Sequence, residues 1–347
     1  MPPTPMASDV CTPLLSVRRL KTVFPLDEGT VIAVKDVSFD LHAGRTLALV
    51  GESGCGKSVT ARSILRLLDR PGRIEAGQVL LRRPSTEQAG PETIDLAKLD
   101  DDGPRIREVR GGEIGLIFQE PMASLSPVHT IGNQLTEAIR LHRDVSKCEA
   151  RSMAIGLLRE VGIPQPQQRI DFYGFELSGG LRQRAMIAIA LACRPRLLIA
   201  DEPTTALDVT TQAQILQLLR QLQAQHEMAI LLITHDLGVV AQTADDVAVM
   251  YLGEIVECAD VDTIFHDPRH PYTRALLKSM PAMHATNRGR LETIAGSVPH
   301  PFQRPSGCPF HPRCPQVITG QCDCQAPRLR AIGESHQVSC LLEEAGS

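Results

Sequence analysis

Four short apolar segments constrain what this chain folds into. They lie at residues 47–50, 114–118, 197–200 and 230–233, and stretches with helical patterns separate them. Apolar runs of this length are typical of parallel strands that are buried on both faces. The alternation of such strands with helices predicts a doubly wound α/β domain, whose ligands bind beyond the carboxyl ends of the strands.

The sequence around these strands predicts further parts of the molecule. Residues 14–41 alternate between apolar and polar side chains, which indicates an antiparallel β subdomain. Residues from about 120 to 191 carry mainly helical patterns, which indicates a helical subdomain. Prolines become frequent from residue 259 and interrupt any long element. We predict a tail at 1–13, a principal domain at 14–258 and a small Cys- and Pro-rich regulatory domain at 259–347.

The composition limits the classes of function. With 347 residues and a formal net charge of −4, the chain lacks the basic excess of most nucleic-acid-binding proteins. No apolar run approaches the roughly 18 residues of a membrane-spanning helix. The first residues lack the basic and apolar regions of a secretory signal. We therefore expect a cytoplasmic protein that binds no nucleic acid.

Residues 51–58 read Gly-Glu-Ser-Gly-Cys-Gly-Lys-Ser and lie between the first buried strand and a helical pattern, which is the context of a P-loop. The core is therefore predicted to be that of a P-loop NTPase (RecA-like). Backbone N–H groups wrap the phosphates, Lys57 adds a positive charge, and the Ser58 hydroxyl ligates magnesium. The predicted nucleotide-binding residues are Gly51, Ser53, Gly54, Cys55, Gly56, Lys57, Ser58 and Val59.

Cys55 carries a hypothesis of its own. A thiol at the mouth of a phosphate-binding helix is expected to have a lowered pKa and to react with alkylating agents. The alternative is a small residue that only fills space.

Polar residues follow three of the buried strands and are predicted to enter one crevice. Asp201 is placed to hold magnesium, while Glu202 is one residue further out and can reach the water that attacks the γ-phosphate. Gln119 and His235 are candidate γ-phosphate sensors, and Gln119 is also a candidate magnesium ligand beside Ser58 and Asp201. Alone, each of these residues has a structural or solvated explanation, and the adjacent P-loop favours the catalytic one.

Ser178, Gly179 and Gly180 precede an amphipathic helical pattern. Bare backbone N–H groups at the positive end of a helix bind anions such as phosphate. An ordinary N-capped helix explains the same residues. The first explanation makes this segment half of a nucleotide site that another chain completes.

Phe24 lies in the N-terminal strand region of a chain with 3% aromatic residues and no tryptophan. An aromatic face suits a purine, so Phe24 is a candidate for stacking on adenine. A place in the hydrophobic core explains this residue equally well.

These motifs, in this order along the chain, resemble the ATP-binding subunits of ABC transporters. The resemblance implies that the nucleotide is ATP and that Ser178, Gly179 and Gly180 close over ATP held by a partner subunit. It also implies that Asp208 belongs to the loop that links the two sites. In the same way, Gln119 would lie in the loop coupled to the membrane subunits, and Glu202 would be the catalytic base.

Residues 182–195, 200–210, 270–273 and 307–315 look like the D-type ATPase of dipeptide and oligopeptide importers. The resemblance implies a peripheral protein on the cytoplasmic face of the inner membrane that powers peptide uptake. The implied partners are a second, related ATPase in a heterodimer, two transmembrane permeases and a periplasmic or extracellular peptide-binding protein. Importers of nickel or glutathione share these motifs.

Some residues depart from the D-type pattern. Leu181 replaces a methionine, Ser126 an asparagine, and Gly174 with Phe175 a Pro-His pair, and none of these is a predicted phosphate ligand. The competing functions are a soluble ABC-type ATPase in translation or DNA repair and a P-loop kinase. A kinase would leave the Leu-Ser-Gly-Gly segment at residues 177–180 unexplained.

Cysteines crowd the end of the chain. Cys308, Cys314, Cys322 and Cys340 would supply four thiolates, the ligand set of a zinc ion or an iron–sulfur cluster, with Cys324 competing with Cys322. Their spacing does not choose between these metals, and unligated thiols are the third alternative. The importer ATPases that this region resembles carry a 4Fe-4S cluster, so the resemblance implies one here.

Overall fold

The structure, a computed structural model, describes residues 12–83, 90–119, 124–205, 207–280, 294–333 and 335–344. The strands are β1 Leu15–Leu26, β2 Gly29–Leu41, β3 Thr46–Val50, β4 Arg73–Arg83, β5 Glu92–Asp95, β6 Ile114–Ile117, β7 Leu197–Asp201, β8 Ala229–Thr234, β9 Asp246–Tyr251, β10 Glu254–Asp260, β11 Arg330–Ala331 and β12 Gln337–Val338. The helices are α1 Lys57–Ile64, α2 Pro104–Val109, α3 Ile131–His142, α4 Lys147–Glu160, α5 Pro166–Arg169, α6 Gly179–Ala190, α7 Val209–His226, α8 Leu237–Thr243, α9 Val261–His266, α10 Pro271–Lys278 and α11 Leu341–Glu344. None of the helices in these residues is long and apolar enough to cross a membrane.

The main sheet has eight strands in the order β11-β12-β10-β9-β3-β8-β7-β6. Strands β9, β3, β8, β7 and β6 are parallel to one another, and every residue of β3, β7 and β8 is buried. The four strands predicted from apolar segments are confirmed as β3, β6, β7 and β8, while β9 lies outside those segments. The carboxyl ends of the parallel strands meet at one edge of the sheet, where ligands of such folds bind.

A second, antiparallel sheet has the strand order β2-β1-β4-β5. Its first two strands confirm the antiparallel strands predicted for residues 14–41, and β4 and β5 complete it. Leu15 and Val34 of this sheet pack in one apolar core with Leu49 of β3 and Ile199 of β7. This shared core attaches the antiparallel sheet to the strand that leads into the P-loop.

Helices α3 to α6 occupy the region with helical sequence patterns. Ser146 begins α4 with a capping box, in which its hydroxyl accepts from the Glu149 backbone and the Glu149 carboxylate accepts from the Ser146 backbone. Leu135, Leu158 and Ile187 bury their side chains in a core that joins these helices to α7 and β7. This core fixes the position of α6, which begins with the Ser-Gly-Gly segment.

The residues after 259 extend the main sheet. Val338 of β12 pairs with Glu257 of β10, and the buried rings of Tyr272 and Phe310 pack against Tyr251 of β9. A separate regulatory domain is therefore not confirmed, because these described residues share their apolar core with β3 and β9. The domain boundary at 259 stays a prediction.

Candidate functional site

The P-loop connects β3 to α1, and its glycines are required by the backbone. Gly51 has φ of 151° and Gly56 has φ of 104°, both in the region that side chains rarely adopt. A Cβ at Gly51 would lie 2.2 Å from the Met250 carbonyl oxygen, and one at Gly56 would lie 2.3 Å from the Ala33 carbonyl oxygen. The loop is therefore pressed against β9 and β2, and only glycine fits at these contacts.

Lys57 places its positive charge inside the P-loop. Its side chain is buried, and its ammonium group donates to the Gly51 carbonyl at 2.8 Å and to the Glu52 carbonyl at 3.0 Å. Two carbonyl acceptors hold the cation within the ring of loop atoms, where phosphate oxygens bind in P-loop proteins. Ser53 and Gly54 are exposed at the rim of the loop, and Val59 lies in the first turn of α1.

Ser58 and Asp201 form an oxygen-lined pair across the site. The Ser58 hydroxyl donates to the Asp201 carboxylate at 3.0 Å. Burial raises the pKa of Asp201, partly opposed by the Ser58 hydrogen bond and reinforced by the charge of Glu202. A hydroxyl and a carboxylate are hard oxygen ligands of the kind that Mg²⁺ prefers, so this donor set fits magnesium.

Glu202 is the acceptor at the centre of the site. The Gln119 amide donates to its carboxylate at 3.0 Å and the Thr205 hydroxyl at 2.8 Å, while Nδ1 of His235 lies 3.1 Å from the other carboxylate oxygen. The structure thus brings together Gln119, Glu202 and His235, which follow three different strands. The Gln119 side chain is directed to Glu202 by this bond.

The environment of Glu202 favours its ionised form. Burial raises the pKa of its carboxyl, but the hydrogen bonds from His235 and Thr205 and the charges of His235 and Lys57 outweigh burial and leave the pKa below the ordinary value. The backbone of Glu202 adopts φ of 47°, a left-handed conformation that is uncommon outside glycine. Its N–H donates to the Ile233 carbonyl at 2.8 Å, which ties this conformation to β8.

Thr205 is a residue of the site that the sequence reasoning missed. Its hydroxyl lies three positions after Glu202, and its N–H donates to the Glu202 carbonyl at 3.2 Å to close a turn. The signal in the sequence is the hydroxyl residue at this spacing, since Ser and Thr side chains bond to groups a few positions away along the chain.

The Ser-Gly-Gly segment and Asp208 lie next to each other. Ser178 occupies the N-cap position of α6, but its side chain makes no capping hydrogen bond, and Ser178 and Gly179 are exposed. A Cβ at Gly180 would lie 2.8 Å from a methyl carbon of Thr211 in the first turn of α7. Asp208 caps α7, and hydrogen bonds from Thr211 lower the pKa of its carboxyl. A conventional side-chain cap therefore does not account for Ser178.

Phe24 lies in β1 opposite Val31 of β2 and is partly buried. Its ring packs on the backbone at Gly72, where an added Cβ would lie 2.5 Å from a ring carbon. This contact supports the packing explanation for the ring, and stacking on adenine stays a prediction.

The prediction that Cys55 has a lowered pKa is wrong. The residue is 2% exposed, and burial raises the pKa of its thiol more than Lys57, 3.7 Å away, lowers it. The helix terminus does not decide the chemistry of this thiol because the folded loop removes it from water.

The prediction of an iron–sulfur cluster is also wrong. In the part of the chain that the structure describes, which includes Cys308, Cys314, Cys322 and Cys340, no group of three or more His, Cys, Asp or Glu residues is placed to hold a metal ion. Burial raises the pKa of Cys308 to about 12 and that of Cys340 to about 11. The same absence of a placed ligand group among the described residues counts against zinc.

The fold and the site together define a class of protein. A P-loop between a buried strand and a helix, a carboxylate pair at the end of a neighbouring strand and a Ser-Gly-Gly helix terminus are the parts of an ABC-type ATPase. Two family profiles match the chain. The profile described as "ABC transporter" matches residues 34–205, and the one described as "Oligopeptide/dipeptide transporter, C-terminal region" matches residues 256–322. The chain belongs to the ABC transporter family of ATP-binding proteins.

Individual relatives match over nearly the whole chain. A Brucella ovis protein, provisionally named a peptide import ATP-binding protein, is 50% identical over 95% of this chain and 97% of its own length. The dipeptide transport ATP-binding protein DppD of Escherichia coli is 45% identical over 96% of this chain and 98% of its own length. Among solved structures, one similar to this chain is the ATP-binding cassette MJ0796, a dimer in a post-hydrolysis state bound to ADP and phosphate. It is 25% identical in sequence, with a TM-score of 0.60, and the match covers 71% of this chain and 98% of that chain.

Proposed function

We propose that this chain is the ATP-hydrolysing subunit of an ABC importer that takes up dipeptides or oligopeptides. The observation that carries the proposal is the carboxylate of Glu202, held by Gln119, Thr205 and His235 beside the Ser58–Asp201 pair in an ABC cassette. The full-length relatives named for peptide import supply the class of substrate. Nickel and glutathione are the alternative cargoes.

In the proposed mechanism, positioning and charge do most of the work. Backbone N–H groups from Gly51 to Val59 and the ammonium group of Lys57 bind the phosphates of ATP. Ser58 and Asp201, with Gln119, would hold magnesium, which would neutralise charge on the phosphate oxygens. Glu202 accepts a proton from the attacking water, because its lowered pKa keeps the carboxylate ionised near neutral pH. His235 keeps the Glu202 carboxylate oriented and is close to the reacting phosphate.

The proposed site is completed by a partner. Ser178 and Gly179 are exposed at the start of α6, and Gly180 is half-buried. The three residues would bind the γ-phosphate of ATP on a second subunit, with Asp208 linking the two sites. The proposed partners are a related ATPase, two permeases and a peptide-binding protein, at the cytoplasmic face of the inner membrane. Support for a paired arrangement comes from the dimeric cassette to which the fold is similar.

Two finer assignments remain part of the proposal. Phe24 is the candidate for stacking on adenine. Residues 14–258 form the nucleotide-binding domain, and the second sequence profile, which begins at residue 256, supports a division of the chain near residue 259.

The substitution Glu202→Gln tests the mechanism. An amide accepts no proton from water, so turnover falls about 100-fold or more while ATP binding is retained. Hydrolysis of ATP and equilibrium binding of ATP are measured on the same preparation. Glu108→Gln, which changes an exposed acid on α2, is the matched control and keeps normal turnover. Turnover of Glu202→Gln close to the wild-type rate would refute the assigned base.

Peptide import is tested in cells. Deletion of the gene is expected to abolish uptake of a radiolabelled dipeptide and to leave nickel and glutathione uptake unchanged. A tagged chain is expected to co-purify with two membrane proteins. Loss of nickel or glutathione uptake alone would move the cargo to those ligands, and a tagged chain without membrane partners would support the non-transport ATPase.

A further inference from the structure

Glu52 is the one acidic residue of the P-loop, and it is held by Tyr272 and Arg313 of the C-terminal segment, by which we mean the described residues after 259. The guanidinium of Arg313 donates to both carboxylate oxygens of Glu52, at 2.7 and 3.0 Å. These residues are separated by 261 positions in the sequence. The side chain of Arg313 is 4% exposed and that of Glu52 is 24% exposed, so the guanidinium is shielded from water while the carboxylate keeps some contact with it. The pair is bidentate, which is the geometry in which such pairs are strongest.

A second residue of the C-terminal segment holds the backbone at the same point. The Tyr272 hydroxyl accepts from the Glu52 N–H at 2.9 Å. Its ring is fully buried and packs against Tyr251 and Phe310, with ring centroids 4.7 and 5.3 Å away. The packing of the ring therefore fixes the position of the hydroxyl independently of its hydrogen bond to the loop.

Arg313 is itself fixed by several contacts. It ends the short helix His311–Arg313, donates from Nε to the Ala295 carbonyl at 3.0 Å, and lies 5.8 Å from the centre of the Tyr251 ring. Because Tyr251 is fully buried in β9, the guanidinium lies against a rigid part of the main sheet where it meets the loop.

The position of Glu52 explains why such a clamp matters. Glu52 follows Gly51, and its carbonyl oxygen accepts from Lys57 at 3.0 Å, so a movement of Glu52 also moves the lysine contact. A carboxylate next to a phosphate site opposes the binding of an anion, and a guanidinium paired with it cancels that charge. The clamp therefore acts on both the shape of the P-loop and its electrostatic potential.

We propose that Arg313 and Tyr272 are positioning residues for ATP: through Glu52 they hold the P-loop in its phosphate-binding shape. This inference rests on the proposed ATPase function. It assigns the C-terminal segment a role at the nucleotide, since the affinity for ATP depends on residues more than 200 positions after the P-loop.

The test compares ATP affinity with turnover in the full chain. In Arg313→Gln the Glu52 charge is uncompensated and the loop samples shapes that do not bind phosphate, so the KM for ATP rises about tenfold. The kcat at saturating ATP stays within about twofold of wild type, because the loop regains its shape once ATP is bound. Tyr272→Phe keeps the buried ring and raises KM by a smaller factor of about three, as expected for a single neutral hydrogen bond.

Rescue separates positioning from a general loss of fold. Glu52→Gln alone leaves the buried Arg313 cation unpaired, while the double variant Glu52→Gln/Arg313→Gln removes both charges. The double variant is expected to have a lower KM for ATP than Arg313→Gln. Arg269→Gln, which breaks an exposed ion pair with Asp267 in the same segment, is the control and keeps the wild-type KM. Thermal unfolding of each variant is recorded alongside, and Tyr272→Phe decides the question if Arg313→Gln does not fold.

The outcomes are distinct. A wild-type KM in Arg313→Gln and Tyr272→Phe, in a chain that hydrolyses ATP, overturns the clamp and leaves the ATPase function intact. A fall in kcat at unchanged KM also overturns it, because the clamp acts on binding. A wild-type chain that neither binds nor hydrolyses ATP overturns both proposals.

Discussion

Thr205→Val is the substitution that tests most directly how the site sets the chemistry of Glu202. Valine keeps the shape of threonine and removes the hydroxyl that donates to Glu202 at 2.8 Å. A hydrogen bond to a charged group contributes about 1.5–3 kcal/mol, and the exposure of Thr205 reduces this to about 1 kcal/mol. Because the lost donor stabilises the ionised carboxylate, the substitution raises the pKa of Glu202.

The sign follows from the role of Glu202 as a base. Hydrolysis is lost as the pH falls through the pKa of the carboxyl, so a higher pKa moves the acidic limb of the rate profile to higher pH. On that limb the variant is about fivefold slower than wild type, which is the factor that corresponds to about 1 kcal/mol. At neutral pH, where Glu202 is ionised in both proteins, the rates are similar.

The assay is kcat/KM for ATP hydrolysis between about pH 3 and pH 7, because the lowered pKa of Glu202 puts the acidic limb below the ordinary carboxyl range. Thr204→Val removes the neighbouring hydroxyl, which is not among the donors to Glu202, and is the matched control. A profile for Thr205→Val that coincides with that of wild type would refute the argument. So would an equal loss of rate at every pH, since that result indicates displaced geometry rather than an altered pKa.

Three further outcomes follow from contacts in the structure. Gly56→Ala abolishes ATP binding in an equilibrium titration, because the added Cβ would lie 2.3 Å from the Ala33 carbonyl oxygen. Binding at wild-type affinity would contradict this prediction and show that the loop adapts. Cys55 reacts with iodoacetamide far more slowly than the exposed Cys148, as peptide mass spectrometry would measure, and equal rates would contradict its burial. Glu257→Gln lowers the free energy of unfolding, measured in urea, by about 3 kcal/mol or more, because the fully buried side chain accepts hydrogen bonds from two backbone N–H groups and His336. A loss under about 1 kcal/mol would contradict this prediction.

The parts of the fold that sequence predicts are those with strong local patterns. The strands β3, β6, β7 and β8 are continuous apolar runs because both of their faces are covered, and the P-loop is marked by glycines that no other residue can replace. Strand β9 is as deeply buried as β3 over most of its length, although it lies outside the four predicted segments.

The features that sequence misses depend on contacts between distant residues. Cys55 lies at a helix terminus, which favours a thiolate, but the folded loop buries the thiol and reverses the direction of its pKa shift. Four cysteines at irregular spacing suggest a metal, but ligation depends on where their sulfur atoms lie in three dimensions. The Glu52–Arg313 pair joins residues 261 positions apart, and no local pattern marks it.

The unused cap position of Ser178 has a thermodynamic consequence. A helix that begins without a side-chain cap is less stable by about 1 kcal/mol than one with a cap. If the nucleotide of a partner satisfies this helix end, binding of ATP to one subunit stabilises the other. The melting temperature of each subunit then depends on the concentrations of ATP and of the partner subunit. The thermal stability of one subunit would therefore report whether its partner has ATP bound.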